Sequence, residues 1–168
     1  MHSAKSVRHS ALCTLHFQLP TMVIIGVDYG KKRIGLATGD SGSGFVFPQT
    51  AIVRQTGRDQ VHAVIDVART EGASHIVVGI PKRLDGKTAV PGDIEREVRT
   101  FVKEFEKMSD LTIDVEDERM STALAKRLCE AAEQKGEKVD EDSVAACVIL
   151  ESYIMRTFGR EDVSWLSE

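Results

Sequence analysis

The 168-residue sequence has few cysteines, few aromatic side chains and no long apolar run. The three cysteines form no CxxC pair and lie near no histidine pattern, which argues against a zinc site. No stretch approaches the roughly 18 consecutive apolar residues of a membrane-spanning helix, so we expect no membrane partner. An odd number of widely spaced thiols is typical of reduced, structural cysteines, and we expect a cytoplasmic protein.

The sequence also has no excess of basic over acidic residues. The chain has 22 Lys and Arg against 26 Asp and Glu, which gives a formal net charge of -4. A protein that binds nucleic acid through overall basicity would carry the opposite sign. Any polyanionic partner must therefore be bound by a local basic patch or through metal ions.

The length fits one domain, because domains commonly contain roughly 100–200 residues. Residues 1–21 carry no acid and only a broken apolar stretch, which argues against a signal peptide. We therefore interpret residues 1–21 as a disordered extension or a mis-assigned start. Met22 directly precedes the first strong strand pattern, and we expect the domain to span residues 22–160, followed by a tail of residues 161–168.

Hydrophobic periodicity predicts a chain that alternates strands and helices after an initial group of three strands. Short β-branched or apolar runs predict strands over residues 23–28, 33–38, 45–53, 75–80 and 111–115. Helical spacing of apolar residues predicts helices over residues 58–71, 92–108, 121–134 and 142–158. This order indicates an α/β fold, with a mixed five-stranded sheet whose first three strands are antiparallel and whose two faces carry helices.

Three carboxylates fall at the ends of these predicted elements. Asp28 closes the first strand, Glu118 follows the fifth strand, and Asp142 opens the last helix. The crevice beyond strand ends is the usual ligand site of an open α/β sheet, and oxygen ligands without Cys or His suit Mg²⁺ or Mn²⁺. Each residue also has an ordinary structural interpretation, namely a turn aspartate, an exposed ion pair with Arg119, and a helix N-cap.

Four motifs give these carboxylates a common context. In chain order they are GVDYGKKRIGLATGD, VVGIPKRLDG, VEDERMSTALA and DSVAACVILESYI. Together they resemble the YqgF/RuvX family, also described as Holliday-junction-resolvase-like or pre-16S rRNA nuclease-like proteins. The resemblance extends from about Val23 to Phe158. A single Asp-x-Gly hairpin recurs widely, but four motifs in order over a whole domain are specific.

The resemblance implies a ribonuclease H-like fold and a nuclease that hydrolyses phosphodiester bonds. It implies that Asp28, Glu118 and Asp142 hold Mg²⁺ or Mn²⁺, two ions being the expected number. Basic residues near these positions are then expected to contact nucleic-acid phosphates: Lys31, Lys32, Arg33, Lys82, Arg83, Lys87 and Arg119.

Two positions depart from the family pattern or leave it ambiguous. Lys31 stands where the family often has a threonine, and Asp140 is an alternative third metal ligand, although the register set by the ILESY segment favours Asp142.

The substrate and the oligomeric state stay open at this level. The resemblance favours structured RNA, with processing of the 5′ end of pre-16S rRNA in ribosome biogenesis, and offers branched DNA in recombination or repair as the alternative. Two other classes are a catalytically silent nucleic-acid-binding module and an ATP-dependent phosphotransferase with a related hairpin. The length opposes the phosphotransferase, because such enzymes close two lobes over the nucleotide. A monomer and a homodimer both fit.

Overall fold

The computed structural model describes residues 21–80, 93–117 and 140–159. The elements within these ranges are β1 (Val23–Tyr29), β2 (Arg33–Asp40), β3 (Val46–Val53), α1 (Asp59–Thr70), β4 (His75–Ile80), α2 (Ile94–Met108), β5 (Thr112–Asp117) and α3 (Glu141–Phe158). Each predicted element in these ranges is present, and its ends differ from the prediction by at most two residues. The helix predicted over residues 121–134 lies outside the described residues.

The strands form one sheet in the order β3-β2-β1-β4-β5. β1 pairs with β2, and β2 with β3, in antiparallel fashion, whereas β4 runs parallel to both β1 and β5. The predicted mixed sheet with three antiparallel strands is therefore confirmed. Because β1, β4 and β5 run in the same direction, their carboxyl ends lie at one edge of the sheet, where open α/β sheets bind ligands.

Alternating side chains on the strands build a separate core on each face of the sheet. Ile25 and Val27 of β1 contribute to the core that α1 and α2 cover, together with Phe101 and Phe105 of α2. Ile24 of β1 points to the other face and packs in the core beneath α3. Each fully buried side chain of this size contributes about 1.5–3 kcal/mol through the hydrophobic effect. The prediction of helices on both faces is confirmed.

Glycines on the α3 face of the sheet let this helix approach very closely. A Cβ atom added at Gly35 would lie 1.9 Å from the carbonyl oxygen of Asp142, and one at Gly26 would lie 2.7 Å from Cβ of Leu150. Both distances are far inside van der Waals contact, so no larger residue fits at either position without moving the helix. The first turn of α3 is therefore seated on β2.

A β-bulge in the edge strand fixes the same end of α3. The β2–β3 register shifts between Ile34 and Leu36, and Pro48 lies in β3 as expected for an edge strand. Bulges leave a backbone group out of the ladder. Next to this irregularity, the buried Ser143 hydroxyl donates to the carbonyl oxygen of Gln49 at 2.6 Å. Helix α3 is thus hydrogen-bonded to the strand at its first turn.

The other end of α3 is held by polar contacts to β5. The Tyr153 hydroxyl donates to Oδ2 of Asp114 at 2.6 Å, and Nη2 of Arg156 lies 2.6 Å from Oε2 of the buried Glu116. Burial raises the pKa of Tyr153 to about 12, and the neighbouring Asp114 acts in the same direction, so the hydroxyl stays a donor. Helix α3 is consequently fixed at both ends across the sheet.

The remaining general expectations concern thiols and membrane spans. Burial raises the pKa of the Cys147 thiol to about 12, so this cysteine of α3 stays protonated, as a structural thiol does. Cys13 and Cys129 lie outside the described residues. None of the helices in the described ranges has the length and apolar character that a membrane span requires.

We predict that Gly35→Ala destabilises the protein by about 2–4 kcal/mol, because the new methyl group displaces the backbone of α3. Gly72→Ala is the matched control, since Gly72 has a φ of +68° and no neighbouring atom in the way. It should cost about 1 kcal/mol through backbone strain alone. Urea unfolding monitored by circular dichroism measures both. Equal losses for the two variants would contradict the close seating of α3 on β2.

Candidate metal and nucleic-acid site

Asp28 is the penultimate residue of β1 and lies at the carboxyl edge of the sheet. Its register partner is Gly35, the glycine on which the first turn of α3 rests. Burial, together with the negative charge of Asp142, raises the pKa of Asp28 from 3.8 to about 6. Asp28 is therefore a carboxylate whose surroundings penalise its negative charge, which a bound cation would relieve.

Asp142 lies in the first turn of α3, close to the hairpin that follows Asp28. A Cβ atom at Gly30 would lie 4.0 Å from Oδ1 of Asp142. Burial raises the pKa of Asp142, and the charge of Asp140 adds to this effect, while Arg33 opposes it. The structure thus brings together Asp28 and Asp142, two carboxylates that are 114 positions apart in the sequence.

The N-cap of α3 is Asp140, whose Oδ1 accepts a hydrogen bond from the backbone N–H of Asp142 at 3.3 Å. The alternative interpretation of Asp142 as the N-cap is therefore wrong by two residues. Oδ2 of Asp140 forms a close ion pair with Arg33. Because both oxygens of Asp140 have partners, Asp142 is the better placed of the two to accept a metal ion.

The three basic residues of the hairpin differ in their surroundings. Lys31 and Lys32 are exposed, and within the described residues neither side chain forms an ion pair. Arg33 contacts both aspartates at the start of α3, with Nε 3.6 Å from Oδ2 of Asp142. The two lysines are therefore available to a phosphate, whereas Arg33 already has carboxylate partners.

Several predicted site residues lie outside the described residues, namely Glu118, Lys82, Arg83, Lys87 and Arg119. Asp117, which ends β5, lies at the edge of the sheet that carries Asp28. Across residues 21–80, 93–117 and 140–159 there is no group of three or more His, Cys, Asp or Glu that could hold a metal ion. Asp28 and Asp142 lie in the described part, and the metal-binding role of all three carboxylates stays a prediction.

Arg54 supports the hairpin from the opposite face of the sheet and was missed by the sequence interpretation. Its backbone N–H donates to the carbonyl oxygen of Lys32 at 2.9 Å, and its Nη1 donates to that of Gly30 at 3.3 Å. Its guanidinium also pairs with Glu97 at 2.6 Å and lies 4.6 Å from the ring centre of Tyr29. A lone arginine after a strand gives no periodic signal that could have revealed this role.

A cavity of about 650 Å³ lies beside Arg54, between α1 and α2. Tyr29, Gln60 and Phe101 are among the residues that line it. Tyr29 and Phe101 belong to the core on the α1 and α2 face, so the cavity is separated by the sheet from the face that α3 covers. It is therefore not part of the acidic site.

Comparison with known protein families gives a match over nearly the whole described region. The family model described as "RuvX: Holliday junction resolvase" matches residues 22–156. A protein of Anaplasma marginale named "Putative pre-16S rRNA nuclease" is 33% identical over 140 residues, covering 82% of this chain and 87% of its own length. A protein of Maridesulfovibrio salexigens with the same name is 34% identical over 137 residues, covering 80% and 99%.

Solved structures show the same fold at much lower identity. T. thermophilus RuvC in complex with a Holliday junction substrate superposes with a TM-score of 0.54 at 12% identity, covering 82% of this chain and 96% of RuvC. The Fowlpox virus resolvase, also in complex with Holliday junction DNA, gives a TM-score of 0.50 at 15% identity, covering 80% and 98%. The ribonuclease H-like architecture is thereby confirmed.

We predict that Asp28→Asn stabilises the metal-free protein at pH 8 by about 2 kcal/mol. The pKa of about 6 in the folded state exceeds the ordinary 3.8, so the folded protein binds more protons between these pH values. The stability that this protonation contributes is full below about pH 4 and is lost as the pH rises through 6. The advantage of the variant should therefore vanish near pH 4.

Urea unfolding in EDTA at pH 4 and pH 8 measures this difference. Asp110→Asn is the control, because Asp110 is an exposed aspartate in the turn between α2 and β5. It should change stability by less than about 0.5 kcal/mol at either pH. A destabilised Asp28→Asn variant at pH 8 would show that the aspartate is not under electrostatic stress.

Proposed function

The chain belongs to the RuvX family, and we propose that it is a metal-dependent nuclease that hydrolyses phosphodiester bonds in structured RNA. The observation that carries the proposal is the juxtaposition of Asp28 and Asp142 at the carboxyl edge of the sheet. A nuclease with a net charge of -4 must neutralise the phosphate charge locally. Divalent cations held by acidic side chains are a means of doing so.

The residues present fit a divalent cation. The donors are carboxylate oxygens, which Mg²⁺ and Mn²⁺ prefer as ligands. The pKa of Asp28 is raised first by burial and then by the negative charge of Asp142, and a bound cation would offset both effects. We propose that Asp28, Asp142 and Glu118 together bind Mg²⁺ or Mn²⁺. Glu118 is included because it directly follows, in the sequence, Asp117, the last residue of β5.

The roles of the chain's own groups follow from their positions. Bound divalent ions supply a water of lowered pKa and stabilise the negative charge of the leaving oxygen. The carboxyl group of Asp28 must lose its proton before it can bind a metal ion. Metal affinity should therefore rise as the pH increases through about 6 and then level off. Lys31 and Lys32 offer exposed ammonium groups to the phosphates that flank the scissile bond.

RNA is favoured over DNA as the substrate because the relatives with higher sequence identity are named as RNA nucleases. The two relatives named as pre-16S rRNA nucleases match this chain at 33% and 34% identity over about four fifths of its length. The likeness to the junction-bound RuvC rests on 12% identity and supports the fold alone. We therefore propose processing of a precursor of 16S rRNA. Cleavage of four-way DNA junctions is the second candidate, which the description of the matching family favours.

We predict that Asp28→Asn, Glu118→Gln and Asp142→Asn each lower Mg²⁺- or Mn²⁺-dependent cleavage by at least about 100-fold, because each removes a charged ligand. The measurement is the cleavage rate of a precursor 16S rRNA fragment and of a four-way DNA junction, each with the metal ion and with EDTA. Faster cleavage of the RNA supports the proposed substrate, and faster cleavage of the junction supports the second candidate.

Asp110→Asn serves as the matched control and should retain the wild-type cleavage rate. Circular dichroism of every variant excludes loss of folding as the cause of a lower rate. Wild-type cleavage by Asp28→Asn or Asp142→Asn would overturn the proposed site. Wild-type cleavage by Glu118→Gln alone would remove only Glu118 from it.

A further inference from the structure

Arg33 makes two unequal contacts at the acidic site. Its Nη2 forms a close ion pair with Asp140, while its Nε lies 3.6 Å from Oδ2 of Asp142, beyond good hydrogen-bond distance. The side chains of Asp140 and Asp142 are 29% and 37% exposed, so water and ions reach both carboxylates. Arg33 is therefore held firmly by the N-cap of α3 and only loosely by Asp142.

We propose that Arg33 is an internal counter-ion. In the metal-free protein its guanidinium partly neutralises the carboxylate of Asp142, and a divalent cation displaces it from this carboxylate. This inference rests on the proposed function, because it needs Asp142 as a metal ligand. A guanidinium and a divalent cation compete for the same carboxylate, and the more concentrated charge of the ion favours the metal. Asp140 keeps the displaced side chain within the site.

The position of Arg33 suits this exchange. It is the first residue of β2, and its backbone is fixed by pairing with Val53 of β3. The planar fork of a guanidinium can contact two carboxylates at once, which the compact ammonium group of a lysine does less well. The neighbouring Lys32 is exposed and has no carboxylate partner among the described side chains. Of the positively charged residues in the hairpin, Arg33 is therefore the one placed to act as the counter-ion of Asp142.

Displacement would couple metal binding to binding of the nucleic acid. Once the ion ligates Asp142, Nε of Arg33 loses its carboxylate partner while Nη2 stays on Asp140. The Nε–H group of Arg33 would then be free to donate to a phosphate, as guanidinium groups do. The expected phosphate contact of Arg33 therefore forms only after the metal ion has bound.

The test is the affinity for Mn²⁺ without nucleic acid, measured by calorimetric titration at pH 7.5 on the full chain. Arg33→Met removes the competing charge but keeps an unbranched side chain, and we expect Mn²⁺ to bind about 10-fold more tightly. Lys32→Met removes an equal charge one residue away, and its affinity should change less than about 2-fold. Arg33→Lys should give an intermediate affinity and serves if Arg33→Met does not fold.

Each outcome bears on the proposal. Equal gains for Arg33→Met and Lys32→Met would show a general effect of net charge and overturn it. Unchanged or weaker binding by Arg33→Met would also overturn it, since Arg33 would then be neutral or would organise the site. In both cases, binding of Mn²⁺ by the wild type leaves the proposed metal site intact. Absence of Mn²⁺ binding by the wild type would overturn the metal site and this inference together.

Discussion

The contact between the backbone of α3 and Gly35 of β2 is the constraint on which the site depends. It places Asp142 beside Asp28, the register partner of Gly35, and so forces two carboxylates into one partly buried place. Burial raises the pKa of both residues, and the negative charge of Asp142 adds to the shift at Asp28, while that of Asp140 adds to the shift at Asp142. Two carboxylates crowded in this way destabilise the ligand-free protein, and such pairs are typical of cation-binding sites.

The rest of the fold keeps this strained arrangement in register. Ser143 ties the first turn of α3 to the bulged edge strand, while Tyr153 and Arg156 tie its last turns to β5. Arg54 holds the hairpin from the opposite face of the sheet. Because both sides of the acidic pair are anchored, the carboxylates cannot relax apart without breaking packing or hydrogen bonds.

Much of this architecture follows from local sequence signals. Apolar periodicity predicts the strands and helices, and chain order predicts the mixed sheet. The contacts that fix the site could not be predicted in this way. Gly35 resembles any strand glycine until a helix backbone lies above it, and Arg33 resembles a surface charge until Asp140, 107 residues away, is in place. Contacts between distant segments depend on tertiary geometry, which a local pattern does not contain.

The most direct measurement of the central claim is anomalous X-ray scattering from crystals grown with Mn²⁺. We expect an anomalous peak within about 2.5 Å of carboxylate oxygens of both Asp28 and Asp142, with Glu118 as a further ligand. Arg33 should remain on Asp140 in those crystals, with its Nε turned away from Asp142. A manganese ion bound elsewhere, or carboxylates of Asp28 and Asp142 that share no ion, would contradict the assignment of this edge as the metal site.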